Sequence, residues 1–345
     1  MTIIRLATVK AIFGCLVSLF VLLALSPAAT KSVRIYVTNY ADTTVDVIDP
    51  VTKKIVQVID GIPNPHGIAL SPDGKRVYVT SEVAHVLAVV DQETGKILKK
   101  VLLSGMPNNI AVTKDGGQVL VCIRSEPGAL DIVDATSLER VKSIRTKNGL
   151  HNVLVTPDSK YAVASSPAGH SLVVIDLQTG QLSWDVKFDQ ETRMLAMESG
   201  PDGPIRRVFV QLAYVHGFAV VDFATHREVA RINLPAEPKG FEGEATASGP
   251  THGIGVNPDG KTLWITTASN RCVFVYSLPD LTPLGYVPTG VHPAWLSFSP
   301  DGKMVYVSNT IEDGTLSLID VESMKEVARI PVGHKPMRTT SLALP

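Results

Sequence analysis

Residues 65–80 read Pro65-His66-Gly67-Ile68-Ala69-Leu70-Ser71-Pro72-Asp73-Gly74-Lys75-Arg76-Val77-Tyr78-Val79-Thr80, and most of the chain repeats this pattern. The segment predicts a short apolar strand, a tight turn at Pro-Asp-Gly and a second strand with alternating residues. Proline presets the backbone of the first turn residue and glycine supplies a positive φ angle, so we expect a β-hairpin here.

The hairpin turn returns at nearly constant spacing. Equivalent turns begin at Pro72, Lys114, Pro157, Pro201, Pro258 and Pro300. The intervals between them are 42, 43, 44, 57 and 42 residues, and the one long interval contains an extra segment at residues 235–250. A period near 43 residues with four strand-like runs per unit is typical of a β-propeller.

Each unit is expected to form one blade of four antiparallel strands, named a to d from the innermost outward. In the first complete unit the runs are residues 67–70, 76–80, 86–91 and 97–103. Residues 33–60 supply strands b, c and d without an a strand, and residues 339–344 resemble a lone a strand. Joining the two ends gives an all-β, seven-bladed propeller with a closed ring, which removes unpaired sheet edges between the termini.

Three segments carry a family resemblance. Residues 35–39 (IYVTN), 77–81 (VYVTS) and 305–309 (VYVSN) resemble the YVTN-type β-propeller repeat of exported bacterial and archaeal proteins. The resemblance covers residues 33–345 and implies seven blades of four strands. It implies little about activity, because similar blades occur in surface-layer proteins, lactonases, lyases and redox subunits.

Charge and cysteine content exclude some function classes. The chain has 32 Lys and Arg against 33 Asp and Glu, a formal net charge of −1, so no nucleic-acid partner is indicated. Cys122 and Cys272 lie in distant repeats and are expected to be buried free thiols.

The first 28 residues have the three parts of a secretory signal peptide. Arg5 and Lys10 precede an apolar run over residues 11–25, and small residues follow up to Ala28. Cleavage there leaves residues 29–345 as a single propeller domain in the periplasm or outside the cell. Residues 11–29 are also just long enough for an uncleaved membrane anchor, which would be the chain's one link to a membrane.

Polar residues recur at the start of strand a. The d–a and b–c loops share one rim of the predicted ring, so we expect the side chains at this position to meet at a channel mouth. Six residues before each turn, or nearest to that position, the blades carry His66, Asn108, His151, Arg193, His252, Ala294 and Met337 or Arg338, with His292 adjacent.

Three interpretations of this set remain open. The side chains could satisfy strand ends and hold water. They could bind an anionic or neutral organic ligand. His66, His151 and His252 could instead hold a divalent transition metal, or two of the histidines could do so together with a carboxylate, for which the segment 235–250 offers Glu237, Glu242 and Glu244. That segment precedes His252 and is expected to lie over the mouth.

The sequence therefore predicts an exported propeller that binds an unknown protein, polymer or small molecule at its loop-rich channel mouth without catalysis. The alternative is a metal-dependent enzyme of lactonase, lyase or oxidase type, with its site lined by the three histidines. A third hypothesis follows from the resemblance to d1-haem and quinoprotein propellers, which implies a cofactor that meets a histidine in the channel.

Overall fold

The computed structural model describes residues 32–200, 203–236, 240 and 249–344. Within these residues the chain forms seven four-stranded antiparallel sheets. The predicted fold class, a seven-bladed all-β propeller, is confirmed. The described part contains no helix, and so none that is long and apolar enough to cross a membrane.

The strands are numbered in chain order, and blade 1 is the composite blade. Blades 1 to 3 contain β1 (Val33–Asn39), β2 (Val45–Asp49), β3 (Lys54–Ile59); β4 (Pro65–Leu70), β5 (Arg76–Ser81), β6 (Val86–Asp91), β7 (Ile97–Leu102); and β8 (Pro107–Val112), β9 (Gln118–Ile123), β10 (Gly128–Asp134), β11 (Glu139–Thr146). Blades 4 and 5 contain β12 (Asn152–Val155), β13 (Tyr161–Ser166), β14 (Ser171–Asp176), β15 (Gln181–Lys187); and β16 (Thr192–Ser199), β17 (Ile205–Leu212), β18 (Gly217–Asp222), β19 (Arg227–Asn233). Blades 6 and 7 contain β20 (Thr251–Val256), β21 (Thr262–Thr267), β22 (Cys272–Ser277), β23 (Pro283–Pro288); and β24 (Pro293–Phe298), β25 (Met304–Asn309), β26 (Thr315–Asp320), β27 (Lys325–Pro331). The last strand, β28 (Pro336–Ala343), returns to blade 1 as its innermost strand.

The repeated hairpin turn is held by its own side chains. In blade 2, Ser71 Oγ donates to Asp73 Oδ1 at 2.6 Å, and the same oxygen accepts the Lys75 amide at 3.1 Å. Gly74 has φ 72°, a left-handed conformation that glycine adopts without steric cost. The Pro-Asp-Gly motif thus sets the backbone conformation of the a–b turn. It places no functional group at the mouth.

Ring closure follows the predicted route. β28 pairs antiparallel with β1 from Val33 opposite Ala343 to Asn39 opposite Pro336. β28 also contacts the innermost strands of blades 7 and 2, as each innermost strand contacts the next around the ring. The two ends of the propeller chain therefore complete one blade together.

The core consists of apolar layers between neighbouring blades. Alternating residues of strand b face opposite neighbours: Tyr78 packs with Val121 of blade 3, whereas Val77 and Val79 pack with Tyr36 of blade 1. All five are at most 1% exposed. Burial of such a side chain contributes roughly 1.5–3 kcal/mol, and one strand thus stabilises two interfaces.

A ring of side-chain hydrogen bonds joins the innermost strands. Thr80 Oγ1 accepts the Gly67 amide of its own blade at 2.8 Å and donates to the Asn108 carbonyl of the next blade at 2.8 Å. The threonine of the repeat motif thus bridges two blades. The other bridges run from Thr38 to His66, Ser165 to Arg193, Gln211 to Thr251, Thr266 to Ala294 and Ser308 to Met337, each to the backbone carbonyl.

The seam between blades 3 and 4 is the exception. Cys122 occupies the position of the bridging threonine there, and the Asn109 amide donates directly to the His151 carbonyl at 3.3 Å. Cys122 and Cys272 are both buried free thiols, as expected.

A hydrogen-bonded pair, His334 and Asp42, joins the two ends of the propeller chain at the rim. His334 Nδ1 lies 2.9 Å from Asp42 Oδ1, and the His334 amide donates to Asp42 Oδ2 at 2.8 Å. Partial burial raises the pKa of Asp42, but the hydrogen bonds from His334 outweigh this effect and lower it. The hydrogen bond and charge of Asp42 raise the pKa of His334.

We predict that Thr80→Val destabilises the protein by roughly 2–4 kcal/mol, because the buried Gly67 amide and Asn108 carbonyl both lose their partner. Urea denaturation measures the change. Thr52→Val, on the exposed c–d turn of blade 1, is the control and should cost less than about 0.5 kcal/mol. Equal effects of the two substitutions would show that the bridge does not hold the blades together.

We predict that His334→Gln lowers the melting temperature at pH 5 and leaves it nearly unchanged at pH 9. The raised pKa of His334 means that its contribution is complete below about pH 6.5 and is lost as the pH rises through the folded-state pKa. The lowered pKa of Asp42 means that its contribution is lost only as the pH falls below about 4. A difference between variant and parent that is the same at pH 5 and pH 9 would contradict this account.

Candidate functional site at the channel mouth

The starts of the innermost strands and the b–c loops meet at one rim, as the strand order predicts. Three successive blades place a polar residue directly after strand b: Tyr40, Glu82 and Arg124. Tyr40 Oη donates to Glu82 Oε2 at 2.9 Å, and Arg124 Nη1 donates to Glu82 Oε1 at 3.2 Å. Burial, followed by the charge of Glu82, raises the pKa of Tyr40 to about 12, so the phenol keeps its proton.

Glu82 links this trio to two predicted residues. Its side chain is buried, and Oε1 also accepts a hydrogen bond from Asn108 Nδ2 at 3.2 Å. His66 Nε2 lies 3.9 Å from the same oxygen, and the Tyr40 ring packs edge-on against the His66 ring. Glu82 is therefore the hub of the mouth on the side of blades 1 to 3.

Arg338 crosses the centre of the ring from blade 1. Its Nη2 donates to Asn108 Oδ1 of blade 3 at 3.2 Å, and Nη1 lies 3.3 Å from Met194 Sδ of blade 5. Its Cζ lies 4.0 Å from the centroid of the Trp295 ring of blade 7, a distance typical of a cation–π contact. Contacts with the innermost strands of three other blades place the guanidinium in the channel, where the residue is 2% exposed.

The guanidinium stays charged without an ion pair. Burial lowers the pKa of Arg338 to about 9, an effect that Cys122 and Glu82 oppose, so it is a cation at neutral pH. In the part of the chain that the structure describes, no carboxylate lies within ion-pair distance of it, and its Nε has no hydrogen-bond partner. A buried charge in this state is unfavourable unless something compensates it.

The three histidines surround this cation as neutral imidazoles. Burial is the main cause that lowers the pKa of His66, His151 and His252, and the Arg338 charge lowers all three further. The pKa of His252 falls to about 4, although its Nδ1 contact with the Ala294 carbonyl at 2.8 Å acts in the opposite direction. Residues of blades 3, 5 and 7 contact Arg338, and its charge lowers the pKa of the histidines of blades 2, 4 and 6.

Several buried nitrogen atoms around the mouth have no hydrogen-bond partner within the part of the chain that the structure describes. Besides Arg338 Nε, these are His66 Nδ1, His151 Nδ1, Asn152 Nδ2 and Arg193 Nε. Arg193 does pair through Nη2 with Glu191 at 2.8 Å, and Asn152 Oδ1 accepts the Leu195 amide. Since a buried donor without a partner costs roughly 1–3 kcal/mol, this set favours a ligand that offers acceptor atoms.

The structure does not bring the three histidines together as a metal site. Across residues 32–200, 203–236 and 249–344, no group of three His, Cys, Asp or Glu side chains is arranged to hold a metal ion. The physical reason is the Arg338 cation, whose charge disfavours a second cation among the imidazoles. Glu237, Glu242 and Glu244 lie outside the described residues, so their place as carboxylate ligands stays a prediction.

The sequence alignment left Met337 and Arg338 as alternatives for the position of His66. Met337 is equivalent to His66, because the amide of the following residue, Arg338, donates to Thr38 Oγ1 as the Gly67 amide donates to Thr80 Oγ1. Arg338 therefore lies one position further along strand a. His292 is half-buried in the d–a connection, and no hydrogen bond or ion pair joins its side chain to the described mouth residues.

The segment 235–250 is largely outside the described residues, so its position over the mouth stays a prediction. The described Gly249 lies against the b–c loop of blade 5, because a Cβ atom on Gly249 would stand 2.7 Å from the Tyr214 amide nitrogen. The end of the segment at Gly249 thus lies at the rim that carries the b–c loops.

Sequence reasoning missed Glu82, Tyr40, Arg124, Trp295 and Met194. The first three occupy one equivalent position, directly after strand b, on the rim that was already predicted. An alignment of the residues that follow strand b would have found them. Trp295 and Met194 carry no such signal, because their role depends on where the Arg338 side chain ends.

Comparison with known proteins supports the fold and gives two functional themes. The family model described as "Cytochrome D1 heme domain" matches residues 32–201, just under half of the chain. A curated relative, hydrazine synthase subunit beta of Kuenenia stuttgartiensis, is 22% identical, and the alignment covers 52% of this chain and 56% of the relative. The chain thus spans little more than half the length of that relative.

Solved structures show the same architecture. Hydrazine synthase of Kuenenia stuttgartiensis has a TM-score of 0.70 with 21% identity, and the match covers 83% of this chain and 92% of the hydrazine synthase chain. The periplasmic gluconolactonase PpgL of Pseudomonas aeruginosa has a TM-score of 0.73 with 18% identity, covering 91% and 99%. The dihydro-heme d1 dehydrogenase NirN, solved with DHE, has a TM-score of 0.64 with 18% identity, covering 92% and 76%. At these identities the likeness establishes a β-propeller with haem-d1-domain and gluconolactonase-like neighbours.

Proposed function

We propose that the protein is an exported propeller that binds a small anionic molecule at its channel mouth. The observation that carries this proposal is the buried Arg338 guanidinium, which among the described residues has neither a carboxylate partner nor a complete set of hydrogen bonds. A ligand carboxylate would supply the missing charge, and charge-assisted hydrogen bonds of this kind are among the strongest in proteins.

The surrounding residues are suited to the same ligand. Asn152 Nδ2 and Arg193 Nε offer two more donors without partners. The neutral imidazoles of His66 and His151 can donate or accept, depending on which ring nitrogen carries the proton. The Glu82 carboxylate accepts hydrogen bonds from Tyr40, Asn108 and Arg124. It therefore holds Asn108 in place for Arg338, and these donors reduce its repulsion of an anionic ligand.

Charge supports an anion rather than a neutral ligand. The mouth carries three cations, Arg124, Arg193 and Arg338, against the carboxylates of Glu82 and Glu191. Arg124 and Arg193 each pair with one of these carboxylates, and Arg338 is the mouth cation that pairs with no carboxylate of the described residues. No nucleophile with an adjacent base is evident among these residues, so we favour binding over catalysis.

We predict that Arg338→Met abolishes anion binding without loss of stability. Acetate, succinate, citrate and gluconate at matched ionic strength serve as probes, with melting temperature and calorimetric Kd as readouts. At least one should stabilise the parent protein, and Arg338→Met should bind it at least about tenfold more weakly, a loss of about 1.4 kcal/mol. The ligand-free variant should melt at the same temperature or higher, because replacement of a buried charge by an apolar side chain of similar volume is often neutral or stabilising.

The matched control is Arg329→Met on the outermost strand of blade 7, where Arg329 pairs with Glu326. This control should bind the probes as the parent does. A large loss of stability in ligand-free Arg338→Met would mean that Arg338 is a structural residue, and unchanged affinity would refute the proposed site.

A haem-type cofactor is the second candidate, favoured by the tautomer of His252. Its Nδ1 contacts the Ala294 carbonyl at 2.8 Å, which leaves Nε2 as the nitrogen available to a metal centre, the usual arrangement for a ligating histidine. Such a cofactor would supply redox chemistry when bound, Arg338 and Arg193 would meet its carboxylates, and His252 would hold its iron. The match to the haem-domain model and the likeness to NirN give this candidate its support. A visible absorption spectrum separates it from the first: a Soret band lost in His252→Ala would favour the cofactor.

Export rests on residues 1–28, which lie outside the described residues, and on the likeness to a periplasmic gluconolactonase. Membership of the YVTN-type repeat family is likewise part of the proposal and agrees with the bridging role of the motif threonines. Sequencing of the mature protein should give Ala29 as the first residue, and an intact Met1 on a cytoplasmic product would contradict export.

A further inference from the structure

Trp295 of blade 7 is held in place by three different blades. Its Nε1 donates to the Thr339 carbonyl of β28 at 3.2 Å, and its amide donates to Ser308 Oγ of its own blade at 3.2 Å. The indole also packs against the apolar cluster of blades 5 and 6 that contains Met194 and Ile254. An indole with its N–H bonded and its ring packed in this way keeps a single orientation. The fold therefore sets the plane of the Trp295 ring.

The face of this ring carries the Arg338 guanidinium. Arg338 Cζ lies 4.0 Å from the Trp295 ring centroid, so the indole limits the tilt of the cation. Nη2 donates to Asn108 Oδ1 at 3.2 Å, and Nη1 lies 3.3 Å from Met194 Sδ. Because the N–H donors of a guanidinium lie in one plane, these two contacts fix its rotation within that plane. The tilt and the rotation of the guanidinium are thus both set by the protein.

The donors that remain decide which kind of anion fits. Nε of Arg338 has no hydrogen-bond partner among the described residues, and each terminal nitrogen of a guanidinium carries a second N–H. A carboxylate meets two such coplanar donors at once, one with each oxygen, and this fork geometry gives arginine its selectivity for planar oxyanions. A monatomic anion has a single centre, so the orientation of the guanidinium plane matters little to it.

We propose that Trp295 is a specificity-determining residue, which fixes the plane of the Arg338 guanidinium so that the mouth selects a carboxylate over a monatomic anion of the same charge. The inference rests on the proposed function, because it needs an anion at Arg338, and it names the chemical group that binds there. Trp295 acts through Arg338 as a positioning residue and needs no contact of its own with the ligand.

Competition between a carboxylate and chloride tests the proposal on the full chain. Calorimetric titration with acetate, succinate, citrate and gluconate identifies the carboxylate that the parent protein binds most tightly. Displacement of that carboxylate by sodium chloride then gives the Kd of chloride. We expect the parent to bind the carboxylate at least about tenfold more tightly than chloride, a difference of about 1.4 kcal/mol.

Trp295→Leu removes the aromatic face and keeps an apolar side chain. It should bind the carboxylate at least about fivefold more weakly, within the range for loss of a cation–π contact, and should bind chloride about as the parent does. Trp295→Phe retains an aromatic ring and should keep most of the selectivity. The matched control is Trp184→Leu on the outermost strand of blade 4, where Trp184 stacks on His226. This control should change neither Kd.

The outcomes separate the inference from the proposed function. If no carboxylate binds the parent, the proposed function is refuted and the inference with it. If a carboxylate binds but the ratio of the two Kd values is the same in Trp295→Leu as in the parent, the inference alone is overturned. Equal weakening of both anions in Trp295→Leu also overturns it, because Trp295 would then shape the mouth without selecting the ligand. Melting temperatures establish that each variant is folded, and Trp295→Met replaces Trp295→Leu under the same criteria if the leucine variant does not fold.

Discussion

The structure depends on one hydrogen-bonding constraint: innermost strands of neighbouring blades do not pair as a sheet, yet their buried backbone groups need partners. Threonine or serine hydroxyls bridge the amide of one blade to the carbonyl of the next, as Thr80 does between Gly67 and Asn108. Gln211 performs the donor half of this role in blade 5. A buried amide without a partner is costly. The threonine side chain of the YVT-type motif therefore stabilises the contact between neighbouring blades rather than its own sheet.

The same constraint shapes the mouth. A side-chain bridge at six seams, and a direct backbone hydrogen bond at the seam of blades 3 and 4, fix the start of each strand a. The polar residues that begin those strands therefore surround one axis. Arg338 lies among these residues with contacts to Asn108, Met194 and Trp295. Burial and the Arg338 charge together keep the histidines neutral, and the charge disfavours a metal ion among them and favours an anion.

The sequence predicted the architecture closely and the site only in part. Repeat spacing gave seven blades and the composite closure, and the b–c and d–a loops were assigned to the correct rim. The metal hypothesis failed to find support because it treated His66, His151 and His252 as a set and gave Arg338 no special place. Repeat alignment ranks equivalent positions, whereas Arg338 acts one position away from its supposed equivalent and reaches across the ring.

The sequence by itself determined the local chemistry of a blade such as blade 2: the serine and aspartate of the a–b turn, the glycine with positive φ, and the alternation that sends Tyr78 to one neighbour and Val79 to the other. These depend on residues close together in the chain, so each repeat specifies them independently. Only the tertiary structure decided that Glu82 joins Tyr40 and Arg124, and that no carboxylate of the described residues pairs with the buried Arg338. Those contacts join different blades, up to 230 residues apart, and their geometry exists only once the ring has closed.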